Sequence, residues 1–313
     1  MSYTGPGFDP PQPRRSRRGP LTVALVALVP GALLGWAVYA AVGGSGGDEG
    51  AGSAAASPSP SASASSRTSS PAPSASSEDE KPSASAAAGG PLKGKVVVID
   101  PGHNPENFKH TAEINRQVDI GTNRKECDTT GTSTDDGYAE ADFTLDVAHR
   151  MRALLEKQGA TVKLTQDGDR PFGPCVDERA RIGNRAKADA VVSIHADGSG
   201  TGNRGFHVIL PGAVRAGAAD TRAIVEPSGD LGTRIAGNFV RVTGSAPSNY
   251  VGGGTGLVTR KDLGGLNLST VPKVFIECGN MRDSKDAALL TSGAWRQKAA
   301  QGISDGIVSF LRG

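Results

Sequence analysis

Apolar positions fall into short runs separated by long polar stretches, and most of the runs lie after residue 90. Residues 96–99 (VVVI) are continuously apolar and stop at Asp100-Pro101-Gly102, which predicts a buried strand ended by a turn. Residues 190–195 (AVVSIH) and 273–277 (KVFIE) repeat that form. Between the runs the period lengthens. Phe143, Val147, Met151, Leu154 and Leu155 recur at helical spacing, predicting a helix over 139–158 stopped by Gly159. Residues 161–165 alternate as a strand, and 177–186 read as a second helix. Residues 205–210 read as a strand with Phe206, Val208 and Leu210 on one face. Helices are predicted over 233–242 and 294–311. Residues 104–137 show no period, and 252–268 are Gly-rich; both read as loops. Strands alternating with helices predict an α/β domain, a single unit with a twisted, mostly parallel sheet flanked by helices on both faces.

The first third of the chain reads differently. Residues 1–19 form a basic tail with Arg14, Arg15, Arg17 and Arg18 close together. No charge occurs over 20–42. A helix of about 20 apolar residues spans a hydrocarbon core, so 20–42 predicts a transmembrane anchor with the arginine end in the cytoplasm. The alternative is a cleaved signal peptide, with Val38-Tyr39-Ala40 as a small-residue cleavage site. Both readings export everything after Val42. Residues 43–90 are Ser-, Ala-, Pro- and Gly-rich and predict a disordered linker, leaving 91–313 as the folded domain. The expected location is therefore the cytoplasmic membrane with the domain outside, or secretion if the segment is cleaved.

The formal net charge is +2, and the basic excess sits in the first residues. Aromatic residues make up 4% of the chain, so neither a basic face nor a stacking platform for nucleic acid is expected. Cys127, Cys175 and Cys278 do not form a CxxC zinc site.

Three predicted strands and one helix start bring chemistry to one rim. His103 follows the first strand, His195 ends the second, Glu277 ends the third, and Glu140 opens the helix over 139–158. In open α/β sheets, sites gather outside the carboxyl ends of the strands. Two histidines and a carboxylate suit a hydrolytic zinc site, and a further carboxylate suits proton transfer. His103, Glu140 and His195 are the candidate metal ligands and Glu277 the candidate acid/base. His149, on the far side of its helix, and His110, in the polar stretch, are expected in solvent. His207 lies opposite Phe206 and Val208 and is a lesser candidate to face substrate. Arg179, Arg181 and Arg185 are expected to form ion pairs.

DPGH, the Glu of GYAEADF, SIHADG and VFIECGNM together resemble the zinc-dependent N-acetylmuramoyl-L-alanine amidases of the amidase-3 type. GPCVDER and GTSTDDGY are similar to the actinobacterial and mycobacterial branch. The resemblance covers about 93–313. It implies cleavage of the amide between N-acetylmuramic acid and L-alanine of the stem peptide, with Zn²⁺ on His103, Glu140 and His195 and with Glu277 as acid/base. It also implies peptidoglycan or muropeptide fragments as substrate and a Cys127–Cys175 disulfide that pins the long polar stretch; separately, a monomer is expected. Cys278 is expected to stay a packed thiol. Asn104-Pro105-Glu106 and Cys278-Gly279-Asn280 depart from the commoner family pattern and bear on substrate preference. The competing functions are a non-catalytic wall-binding regulator on this fold and a zinc peptidase or deacetylase acting on another bond.

Overall fold

The structure, a computed structural model, describes residues 89–313. The predicted tail, the predicted transmembrane anchor and nearly all of the predicted linker lie outside the described residues. Among the described residues no helix is long and apolar enough to cross a membrane.

Six strands form the main sheet: β1 (Val96–Pro101), β2 (Thr161–Leu164), β3 (Ala190–Asp197), β4 (His207–Pro211), β5 (Leu257–Arg260) and β6 (Lys273–Asn280). Their order is β2-β1-β3-β6-β4-β5. The first four in that order are parallel, β4 runs antiparallel to β6, and β5 is parallel to β4. Five principal helices accompany them: α1 (Glu140–Lys157), α2 (Val176–Arg185), α3 (Val225–Thr243), α4 (Ser284–Leu290) and α5 (Gly293–Arg312).

Strand side chains alternate between faces, so each central strand serves two environments. On one face Val97, Ile99, Val192, Ile194, Val274 and Ile276 form the core with Phe143 and Met151 of α1, Leu231 and Phe239 of α3, and Ile303 of α5. Each such fully buried side chain contributes about 1.5–3 kcal/mol relative to exposure. On the other face Val98 and Val191 pack against Ile182 of α2. Asp100, Ser193, His195, Lys273, Phe275 and Glu277 occupy that second face by the same alternation. A one-residue slip of β3 or β6 would turn the polar set into the core, which pins the register.

Three expectations change. The helix predicted over 233–242 starts at Val225. Pro227 lies in its first turn, where an amide is not needed for the helix ladder. Gly232 lets the helix close on the sheet, since a Cβ there would lie 2.3 Å from Leu210 Cδ2. The stretch 252–268 is not a plain loop: it contains a 3₁₀ turn at Gly252–Gly254, strand β5 and a helical turn at Gly264–Asn267.

The stretch 104–137 is also partly ordered, with a helical turn at Thr111–Ile114 and a two-stranded ribbon, Gln117–Asp119 against Arg124–Glu126. Its small core is Val118, Ile120, Cys127 and Cys175, backed by Val176. Cys127 and Cys175 are disulfide-bonded across a sequence separation of 48. Cys278 is free and buried.

Candidate active site

The turn after β1 sets His103 at φ 62°, in the left-handed region that a residue with a Cβ seldom occupies. Its ring meets the His195 ring edge-on, with centroids 5.0 Å apart. His195 comes from β3 and pairs in register with Glu277 of β6. Glu140 is the first residue of α1, where the helix dipole favours a carboxylate. Glu140 Oε2 accepts from the Thr132 amide (3.0 Å) and Oε1 from the Ala196 amide (3.2 Å).

Ligand-capable atoms of His103, Glu140 and His195 all lie within 4.8 Å of one another. His103 Nε2 is 3.2 Å from Glu140 Oε2, and His195 Nδ1 is 2.9 Å from Glu140 Oε1. Atoms bound tetrahedrally to one zinc ion at about 2.0–2.1 Å stand about 3.3 Å apart, so the spacing fits such an ion. The hydrogen bonds behind the rings assign the tautomers. His103 Nδ1 donates to the Thr129 carbonyl at 3.1 Å, leaving a lone pair on Nε2. His195 Nε2 donates to Ser193 Oγ at 3.3 Å, and Ser193 Oγ donates to Asp100 Oδ2 at 3.0 Å, leaving a lone pair on His195 Nδ1. Two lone pairs and a carboxylate thus converge where a cation would relieve their repulsion.

Electrostatics point the same way. Burial opposes charge on His103, yet the Glu140 and Asp128 carboxylates outweigh it and hold the imidazolium well above its usual range. Burial likewise opposes ionisation of Glu140, but His103 and His195 hold its carboxyl well below the ordinary carboxylate range. A field that favours a proton here also favours a metal ion. Space is fitted closely around the donors. A Cβ on Gly102 would lie 2.4 Å from His195 Cε1, and one on Gly131 would lie 2.7 Å from His103 Cδ2 and 2.8 Å from Glu140 Oε2. Phe275 stacks on His195, with ring centroids 5.2 Å apart and planes 2° from parallel.

Glu277 lines the same cleft, about 240 Å³, with His103, Glu140, His195, Asp197 and Arg260. Its Oε2 is buried and has no hydrogen-bond partner among the described residues. Burial, followed by the nearby Glu140 and Asp197 carboxylates, raises the Glu277 carboxyl well above its usual range. A carboxylate whose charge is disfavoured in this way is a better proton acceptor than a free one. A larger cavity of about 540 Å³, between Arg204, Ser245 and Trp295, contains none of these groups.

The structure therefore brings all four sequence-predicted residues to one cleft. His207 pairs in register with Glu277, but it is buried and edge-on to Tyr250, and burial lowers its pKa. His149 is half-exposed and pairs with Asp167, while His110 contacts Glu113 and the Phe172 ring. Of the three arginines, Arg181 pairs with Asp177 at the surface, whereas Arg179 is buried between Asp100 and Asp128.

Sequence reasoning missed that buried network. Lys273, fully buried, donates to Asp100 Oδ2 at 2.9 Å, and Thr165 Oγ1 donates to Asp100 Oδ1 at 2.6 Å. Burial opposes the charge of Asp100, but Lys273 and Arg179 hold its carboxyl well below the usual range. One signal was readable: Lys273 stands four residues before Glu277 in an apolar strand and so shares its face.

The fold and this donor set define a class. The sequence profile of the Amidase_3 family, N-acetylmuramoyl-L-alanine amidase, matches residues 97–309, and the chain belongs to that family. It is an enzyme, an N-acetylmuramoyl-L-alanine amidase that hydrolyses peptidoglycan. It is similar to N-acetylmuramoyl-L-alanine amidase Rv3717 of Mycobacterium tuberculosis, at 40% identity over 70% of this chain and 88% of that one. The crystal structure of the N-acetylmuramyl-L-alanine amidase Ami1 from Mycobacterium smegmatis superposes with a TM-score of 0.64 at 41% identity, covering 70% of this chain and 98% of that one. The apo form of Ami1 from Mycobacterium abscessus gives the same TM-score at 40% identity, covering 70% of this chain and 100% of that one.

Proposed function

We propose that the chain cleaves the amide joining the lactyl group of N-acetylmuramic acid to L-alanine, with Zn²⁺ held by His103, Glu140 and His195 and with Glu277 as acid/base. The observation that carries this reading is the convergence of three ligand atoms beside a buried carboxyl with an unpartnered oxygen. Held by these three residues, zinc would lower the pKa of a bound water to about 7 and would polarise a carbonyl. The chain's own residues supply the rest. The unpartnered Oε2 of Glu277 takes the proton of the attacking water and passes it to the departing alanine nitrogen, so one group serves as base and then as acid. Ser193 and Thr129 fix the tautomers of the two histidines. The cleft between Arg260 and Phe275 receives the muramyl-peptide. The disulfide suits an exported domain, and the apolar segment 20–42 tethers it outside the cytoplasmic membrane.

The test is incubation of the full chain and its Glu277→Gln variant with purified muramyl-peptide, read by mass spectrometry. The expected result is free stem peptide with an N-terminal alanine from the wild type alone, with equal zinc content in both proteins. Cleavage at another bond would overturn the substrate assignment. Zinc binding without cleavage, on either fragment or polymer, would favour a binding role.

A further inference from the structure

The proposed metal ligand His103 sits at φ 62°, a backbone conformation that a residue with a Cβ seldom adopts. Such a conformation persists only where the surroundings over-determine it. Gln166 Nε2 donates to the His103 carbonyl at 3.1 Å and Thr144 Oγ1 to the Gly102 carbonyl at 2.7 Å, but one side chain outside the ligand set ties the turn to the groups around it at several points. Arg179, on the first turn of α2, is 4% exposed and has five N–H groups. Each finds an acceptor. Nε donates to the Pro174 carbonyl at 2.8 Å. Nη1 donates to Asp100 Oδ1 at 2.8 Å and to the Pro101 carbonyl at 2.6 Å. Nη2 donates to the His103 carbonyl itself at 2.8 Å and to Asp128 Oδ2 at 2.9 Å. Asp128 Oδ1 in turn lies 3.5 Å from His103 Nδ1. One planar cation thus grips the turn before His103, the carbonyl of His103 and the carboxylate behind its ring.

We propose that Arg179 is a positioning residue for the metal centre: its guanidinium, with Asp128, holds His103 in the left-handed conformation that aims Nε2 at the metal. This rests on the metal-site reading above. A buried Arg–Asp pair that only stabilised the fold would not need to reach the ligand's own carbonyl. Lysine has three donors on a single nitrogen and cannot span Pro101, His103 and Asp128 together. Removing groups behind metal-bound histidines typically costs ten- to hundred-fold in metal affinity.

The experiment measures zinc affinity by chelator competition with the metal alone, well below the melting temperature of each protein. The full-length wild type is compared with Arg179→Lys, Arg179→Met, Asp128→Asn and, as control, Arg181→Lys. The expected result is about ten- to hundred-fold weaker zinc binding for Arg179→Lys and Arg179→Met, a smaller loss for Asp128→Asn, and no change for Arg181→Lys. Excess zinc should restore activity to the folded Arg179 variants. If Arg179→Met fails to fold, Arg179→Lys and Asp128→Asn still decide the matter. A folded Arg179→Lys with wild-type zinc affinity overturns the proposal and leaves the metal site intact. A wild type that binds no zinc overturns the metal-site reading and the proposal with it.

Discussion

Converting both Cys127 and Cys175 to alanine should weaken the fold and the metal site together. The bridge closes a loop with a sequence separation of 48. For about that many residues, loop-closure entropy in the unfolded chain gives a contribution of about 4 kcal/mol at 25 °C. A domain of this size loses about 2–4 °C of melting temperature per kcal/mol, so Tm should fall by roughly 8–16 °C. The bridge also joins the two parts that support His103. Cys127 immediately precedes Asp128, and Cys175 is the residue before α2, which carries Arg179. The Val176 amide still donates to the Cys127 carbonyl at 2.7 Å, so the contact is loosened rather than lost. The assay is thermal and urea unfolding of wild type and double variant without reductant, with zinc affinity measured on the folded proteins. A Tm drop below about 3 °C would refute the loop-entropy argument. Unchanged zinc affinity beside a large Tm drop would refute the link between the bridge and the site.

Gly102→Ala should abolish stoichiometric zinc binding at low zinc, because the new Cβ would strike the His195 ring at 2.4–2.7 Å and the Phe275 ring stacked behind it limits retreat; metal analysis of the purified variant checks this. Asp128 gives a pH dependence with a definite sign. Burial opposes its ionisation, but Arg179 and His103 outweigh it and hold the carboxyl at about 2, against 3.8 ordinarily. A depressed folded-state pKa gives stability that is full above the unfolded value and is lost as pH falls through the folded one. Wild-type stability should therefore exceed that of Asp128→Asn above pH 4, and the difference should shrink by about 2 kcal/mol between about pH 4 and pH 2, as denaturant titrations at stepped pH would show.

The sheet was legible where strands are buried on both faces. VVVI, AVVSI and KVFI are apolar enough to announce themselves, and His103, His195 and Glu277 stand out because each interrupts or ends such a run. Glu140 was legible because the periodic face of α1 fixes where that helix begins. The start of α3 was not, since Pro227, Gly229 and Gly232 read locally as helix breakers. Tertiary packing overrides that preference, because Gly232 is what allows the helix to close on Leu210. Strand β5 was hidden among glycines, and its four residues are only half-buried or exposed at the sheet edge. The polar stretch after His103 has no period because its order comes from side-chain brackets. Asn104 Nδ2 donates to the Gly173 carbonyl at 3.1 Å, and Asn107 Nδ2 donates to the Thr129 carbonyl at 2.7 Å. Arg179 was expected in an ion pair, but its partners Asp100 and Asp128, and the pairing of Lys273 with Asp100, were not legible because contacts across 79, 51 and 173 positions leave no local pattern.

Zinc stoichiometry against activity tests the central claim most directly. The protein would be stripped with chelator, dialysed and titrated with Zn²⁺, while release of stem peptide from muramyl-peptide is measured at each step. The account predicts no release from stripped protein, a linear rise that ends at one equivalent per chain, and no rise for a Glu140→Ala variant. Full activity in the stripped protein, or recovery in Glu140→Ala at one equivalent, would contradict it.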